Sequence, residues 1–212
     1  MVGMTSLTIP DRDERGDLGS FVARVVRLDA AAVVRLRAVR DRIVVWAATP
    51  FDVLVTRSVP GTMEPADLAT SAASLLTALT VDRSDTVDPG PTVLWAGDLP
   101  PDDGWSPVDD VPAVELERLT ERGLQVAKEN AGPHGPPTSL LDQVVLTVSA
   151  DRAPAVKVPM RCLFALSGMG FLGQGIGSDA VRVSATGRWL RLDARYGAVV
   201  RRRTTALPLL IS

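Results

Sequence analysis

The sequence predicts an α+β chain, in which an antiparallel β-meander covered by a helix is followed by a subdomain of helices and a β-hairpin. Three observations predict it. Runs rich in β-branched residues crowd positions 21–59, separated by breaks too short for crossover helices. Leu68, Ala72, Leu75, Leu76 and Leu79 recur at helical spacing. After a stretch rich in Pro, Gly and Asp, helical spacing returns at 112–130 and then yields to alternation broken at Thr186-Gly187.

Residues 1–17 are polar and are expected to fray. Residues 18–81 form the first unit. Its expected strands are Phe21 to Leu28, Ala31 to Val39, Arg42 to Ala48 and Asp52 to Val59, a four-stranded meander. A helix from Glu64 to Leu79 follows, with Pro65 in its first turn and Glu64 and Asp67 near its positive end. Its leucine stripe needs a sheet to lie on, which the meander provides. Residues 82–111 hold five prolines, three glycines and eight aspartates, the composition of a linker or functional loop.

Residues 112–212 form the second unit. A helix spans about Pro112 to Asn130, with Glu115 and Glu117 early and Lys128 late, and Ala131 to Pro137 stops it. A short helix through Gln143, a strand from Val144 to Ser149 and a second short helix from Pro159 to Leu166 follow. Strands at Ala180 to Ala185, Arg188 to Asp193, Ala198 to Arg203 and Ala206 to Ile211 complete the chain. No internal repeat is visible.

Charge is the most uneven property of the chain. Between Pro60 and Asn130 fourteen carboxylates face four bases, whereas between Ala150 and Ser212 ten bases face three carboxylates. These excesses hide within an overall charge of −2. Segregation on this scale points to surfaces that attract opposite partners. Arginine outnumbers lysine by twenty-one to two, a genome-wide bias that weakens any argument from arginine number alone. The start of the chain has no apolar run of signal-peptide type, and the longest uncharged stretch, Cys162 to Ser178, is too short and Gly-rich to span a membrane. One cysteine excludes an internal disulfide, and the chain reads as cytoplasmic.

Motifs of chemistry are sparse. Gly168-Met169-Gly170-Phe171-Leu172-Gly173 spells GxGxxG, with Asp193 twenty residues beyond, but a dinucleotide site needs a helix directly after the glycines and none fits before Val181. His134 stands alone in a Gly/Pro loop, and Cys162 lies in an apolar run that suits a buried thiol. One Cys and one His do not complete a zinc site. Asp98, Asp102, Asp103, Asp109 and Asp110 crowd Trp105 without the ligand spacing of a calcium loop, so Trp105 is expected to anchor a solvated acidic loop. No catalytic, cofactor or metal residues are assigned, and the chain is not expected to be an enzyme.

The element order of the second unit resembles a winged-helix layout. That resemblance implies a recognition helix within Val158 to Leu172 and a wing over Val181 to Leu192. The residues placed to meet a polyanion are Arg161, Arg182, Arg188, Trp189, Arg191, Arg201, Arg202 and Arg203. Two functions follow. The first is a non-enzymatic scaffold that binds a protein partner, or itself, through segregated acidic and basic surfaces. The alternative is a winged-helix-like nucleic-acid-binding protein. Neither needs a membrane.

Overall fold

A computed structural model describes residues 5–81, 84–130, 137–149, 155–172 and 179–203. Strand β1 (Ser6–Thr8) leads into helix α1 (Arg12–Leu28). The Asp11 side chain caps that helix by accepting from the backbone N–H groups of Asp13 and Glu14, and Leu18, Phe21, Val22 and Val25 form its buried stripe. The stretch Phe21 to Leu28, expected as a strand, is therefore the end of a helix. Its valines fall at helical spacing behind a capping aspartate, and burial of that stripe outweighs their β-propensity. Part of the N-terminal region expected to fray belongs to β1 and α1.

Strands β2 (Val33–Val39), β3 (Arg42–Ala48) and β4 (Leu54–Pro60) form the expected meander. Val34, Leu36, Ile43, Val45, Ala47, Val55 and Val59 are buried in the main core. Next come β5 (Thr62–Glu64), β6 (Asp67–Ser71) and helix α2 (Ala72–Val81). The expected helix thus begins later than its leucine spacing suggests. The Glu64-Pro65 bond is cis, and Leu68 lies in β6 opposite Leu36. Within α2, Leu75 and Leu79 are buried whereas Leu76 is half-buried. Strand β7 (Thr86–Val87) closes the first part of the chain.

The second part runs β8 (Ser106–Pro112), α3 (Ala113–Glu129), α4 (Thr138–Asp142), β9 (Val144–Val148), β10 (Val156–Pro159), α5 (Met160–Gly168), β11 (Ala180–Ala185), β12 (Trp189–Ala194) and β13 (Gly197–Arg202). The strand expected at Ala206 to Ile211 lies outside the described residues.

The main sheet is antiparallel, in the order β6-β2-β3-β4-β13-β12-β11-β8. Its centre is a seam where β4 meets β13 through Leu54–Val200, Val55–Val199 and Thr56–Ala198. Roles mirror one another about that seam. A strand–helix–three-strand run occurs as β1-α1-β2-β3-β4 and again as β10-α5-β11-β12-β13. A strand–helix–strand run occurs as β6-α2-β7, and again from β8 through α3 to β9 with α4 inserted. Small sheets repeat the relation, since β1 pairs with β7 and β10 with β9. The long run comes first in one half and last in the other, so the halves are circular permutations of one plan. Strand alternation sends one face of each half-sheet onto the helices, where α1 packs with α2 and α3 with α5.

This arrangement overturns the winged-helix order. Met160 through Leu166 of α5 are all buried, because that run is apolar apart from Arg161, so no recognition helix projects. The expected wing is an internal hairpin, with β8 beside β11 and β13 beside β12.

Candidate functional site

On the face of the sheet turned away from the helices, alternation places Trp46, Leu54, Trp189 and Val200 together across the seam. Trp95, Leu99 and Trp105 pack on them from the segment between β7 and β8, so all four tryptophans of the chain share one cluster. Trp105 is thus an anchor of the acidic loop. Its Nε1 donates to the Pro101 carbonyl at 3.0 Å, and the Arg191 guanidinium lies 5.7 Å from its ring. Arg202 stands 5.2 Å from the Trp189 ring.

Charge fastens the same segment. Arg37 donates to both carboxylate oxygens of Asp102 at 3.0 and 3.2 Å, and Arg202 donates to Asp98. Beyond it, Arg182 grips Asp110 across β11 and β8 at 2.9 and 3.0 Å, holding that carboxyl below its ordinary range. Much of the charge segregated along the sequence therefore meets its opposite within the chain.

At one end of the seam the two halves enclose a polar cluster. The turn Thr49–Val53 between β3 and β4 faces α4, α5 and the end of β13. Arg161, only 5% exposed, donates from Nη1 to the Phe51 carbonyl at 2.8 Å and lies 3.3 Å from Asp52. Its Nη2 donates to Asp142 at 2.5 Å. Arg201 shares both carboxylates, at 3.7 Å from Asp52 and 3.5 Å from Asp142. Among the described residues the buried Nε atoms of Arg161 and Arg201 have no acceptor. Two adjoining cavities open here. One of about 580 Å³ is lined by Ala48, Thr49, Leu54, Gly97, Trp189 and Val200 among others. The other, about 800 Å³, is lined by Val144, Lys157, Pro159, Arg161 and Leu190 among others. Asp52, Arg201, Arg202 and Arg203 border both.

Five of the eight residues placed from sequence at a polyanion surface converge on this end: Arg161, Trp189, Arg201, Arg202 and Arg203. Arg203 donates to the Thr186 carbonyl at 3.1 Å, and its backbone N–H to that of the exposed Arg188, so the hairpin turn lies beside them. Arg182 is elsewhere, on Asp110, and Arg191 is held by Asp193 at 2.7 Å. Trp189 is buried in the cluster, not free to stack on a ligand. Sequence reasoning missed Thr49, Asp52, Asp142 and the contribution of Asp98. No local pattern marks them, because each becomes a site residue only through pairing across the seam.

The remaining motifs find structural roles. Gly170 has φ +60, a conformation that favours glycine, in the turn after α5, while Gly173 lies outside the described residues. The helix ends at the first glycine of the motif, Gly168, instead of following the glycines. Burial pushes the Cys162 thiol up to about 12, opposed weakly by Arg201 and Arg161. His134 lies outside the described residues, and among those described no group of three His, Cys, Asp or Glu could hold a metal ion. Nor is any described helix long and apolar enough to cross a membrane.

Residues 100–206 match the family described as Domain of unknown function (DUF8185), and residues 4–97 match Domain of unknown function (DUF8010). No curated protein sequence matches the chain. Among solved structures, the chain is similar to the DNA polymerase sliding clamp of Bacillus subtilis, with a TM-score of 0.61, 14% identity and coverage of 96% of this chain and 65% of the clamp. The β sliding clamp of Caulobacter crescentus gives 0.60 and 17% over 97% of this chain and 66% of that one. The DNA polymerase III subunit β of Pseudomonas aeruginosa gives 0.60 and 15% over 96% and 66%. The chain thus spans just under two thirds of the length of these clamps, and the likeness is one of fold.

Proposed function

We propose that this chain, which belongs to the family described as Domain of unknown function (DUF8185), is a non-enzymatic scaffold that docks a protein partner at the seam. The observation that carries this reading is the pair of adjoining cavities at the end of the β4–β13 pairing, walled by both halves of the chain. Such a place has the concavity, apolar walls and converging polar groups of a binding site. Leu54, backed by the buried Trp189 and Val200, supplies the apolar wall, and the arginines fix orientation. The only thiol is buried and protonated, which argues against nucleophilic chemistry there.

The nucleic-acid alternative draws less support. Binding a phosphate backbone calls for a surface of unanswered positive charge. On the helix layer, α1 and α3 mix acids with bases, α2 carries no charge, and the one arginine of α5 is buried. On the opposite face, Arg37, Arg182, Arg191 and Arg202 already hold carboxylates.

Selection from a random peptide library displayed on phage tests the reading. Ala48 is exposed at the cavity mouth, so Ala48→Trp obstructs the cavity without entering the core. Peptides selected on the parent chain should lose at least about tenfold in affinity on that variant, the equivalent of about 1.4 kcal/mol. Selected peptides that bind both chains equally, or a selection that yields none, would refute docking at the seam.

A further inference from the structure

We infer that the segment docking at the seam is acidic, and that its carboxylate takes the place of the chain's own Asp98 on Arg202. The inference rests on the docking reading above and concerns the chemistry of the partner.

The charges around the cavities are not balanced. Arg161 and Arg201 share Asp52 and Asp142, so those four side chains neutralise one another. Lys157, Arg202 and Arg203 remain on the same lining, where Asp98 is the one further carboxylate among the described residues. Among the described residues neither Lys157 nor Arg203 has a carboxylate partner, and the Arg203 guanidinium donates to the Thr186 carbonyl. An incoming acid would therefore meet unanswered positive charge inside a concave wall, where field lines concentrate and association is steered.

Asp98 shows how such an acid sits. It follows Gly97, its side chain is 73% exposed, and its recorded partner is Arg202. Arg202 is itself 55% exposed but lies against the Trp189 ring, which keeps its guanidinium in place when the carboxylate changes. An exposed ion pair of this kind contributes little, so exchanging one carboxylate for another costs little. Half-buried Leu54 beside these charges suits a segment in which acidic and apolar residues are neighbours. A run of phosphates fits less well, because it would bring no apolar group to Leu54.

Fluorescence anisotropy with capped, labelled peptides tests this directly. The probes are acetyl-(Glu-Leu)4-amide, its (Gln-Leu)4 analogue and an octathymidylate. The acidic peptide should bind, lose at least about tenfold with Lys157→Gln plus Arg203→Gln, and gain about two- to fivefold with Asp98→Asn, the scale of an exposed ion pair. Lys157 and Asp98 are exposed and Arg203 is half-buried, so a thermal melt should confirm that the variants remain folded. Equal binding of the glutamine analogue, or an Asp98→Asn variant that binds no better, would overturn the inference. So would tighter binding of octathymidylate, which points to a nucleic acid instead. Seam-dependent library peptides without acidic residues would also sink it while leaving the docking reading intact. A selection without seam-dependent peptides sinks the docking reading itself.

Discussion

Replacing Arg161 by Met should weaken the joint between the two halves of the chain by about 2 kcal/mol. Methionine keeps the aliphatic stem and much of the volume, so the loss isolates the guanidinium. Three interactions disappear. The hydrogen bond from a buried guanidinium to the Phe51 carbonyl, 2.8 Å long, is worth about 1.5–3 kcal/mol. The pairs with Asp52 and Asp142 involve largely exposed carboxylates that water and Arg201 can still serve, so each adds about 0–1 kcal/mol. Against these stands the desolvation of a charged group that is almost wholly buried, including an Nε without an acceptor, and methionine recovers part of that cost. Urea unfolding is the assay. With a slope of about 2–3 kcal/mol/M, the midpoint should fall by about 0.7–1 M. An unchanged or higher midpoint would refute the reasoning, because the cluster would then cost more in desolvation than it returns.

Three further outcomes are expected. Leu75→Ala should cost about 3–4 kcal/mol because Leu75 is fully buried, whereas half-buried Leu76→Ala should cost less than about 1.5 kcal/mol; paired urea melts check the order. Cys162 should resist a bulky disulfide reagent near pH 8 in the native state and react promptly in urea, since burial holds its thiol protonated; rapid native labelling would contradict this. Asp67 is held below the ordinary carboxylate range, first by its hydrogen bond from Arg35. Its contribution is therefore complete above the unfolded value of about 3.9 and fades as pH falls through the lower folded value. Asp67→Asn should flatten the loss of stability below about pH 4, measured by urea titrations across that range.

Local chemistry made several elements legible. The β2–β4 meander, α3, the hairpin of β11 and β12, and β13 stand close to where alternation, capping charge and turn residues put them. Two elements misled for physical reasons. In α1, Val22, Val25 and Val26 look β-prone, yet Leu18, Phe21, Val22 and Val25 carry helical period behind the Asp11 cap. In β6, Leu68 lies in register with the leucines of α2 although the chain is extended there. The arginines of the site were legible as a charged group, because Arg201 to Arg203 are contiguous. Asp52 and Asp142 were not, since nothing near either residue records a partner that only the seam supplies. The repeat of plan between the halves escaped notice because one half begins where the other ends.

The seam has a kinetic consequence. It joins strands about 140 residues apart in the chain, so the entropy of closing a very long loop must be met before the pairing returns anything. The first meander can form from neighbouring strands alone, with the β4 edge left open until β13 arrives. During synthesis that wait lasts until β13 has emerged, about 140 residues after β4. The cavity walls come from both sides of the late pairing, so a half-made or half-unfolded chain has no docking site to offer. Ligand binding at the seam would accordingly report the last step of folding, and a bound partner would hold shut the joint that closes last.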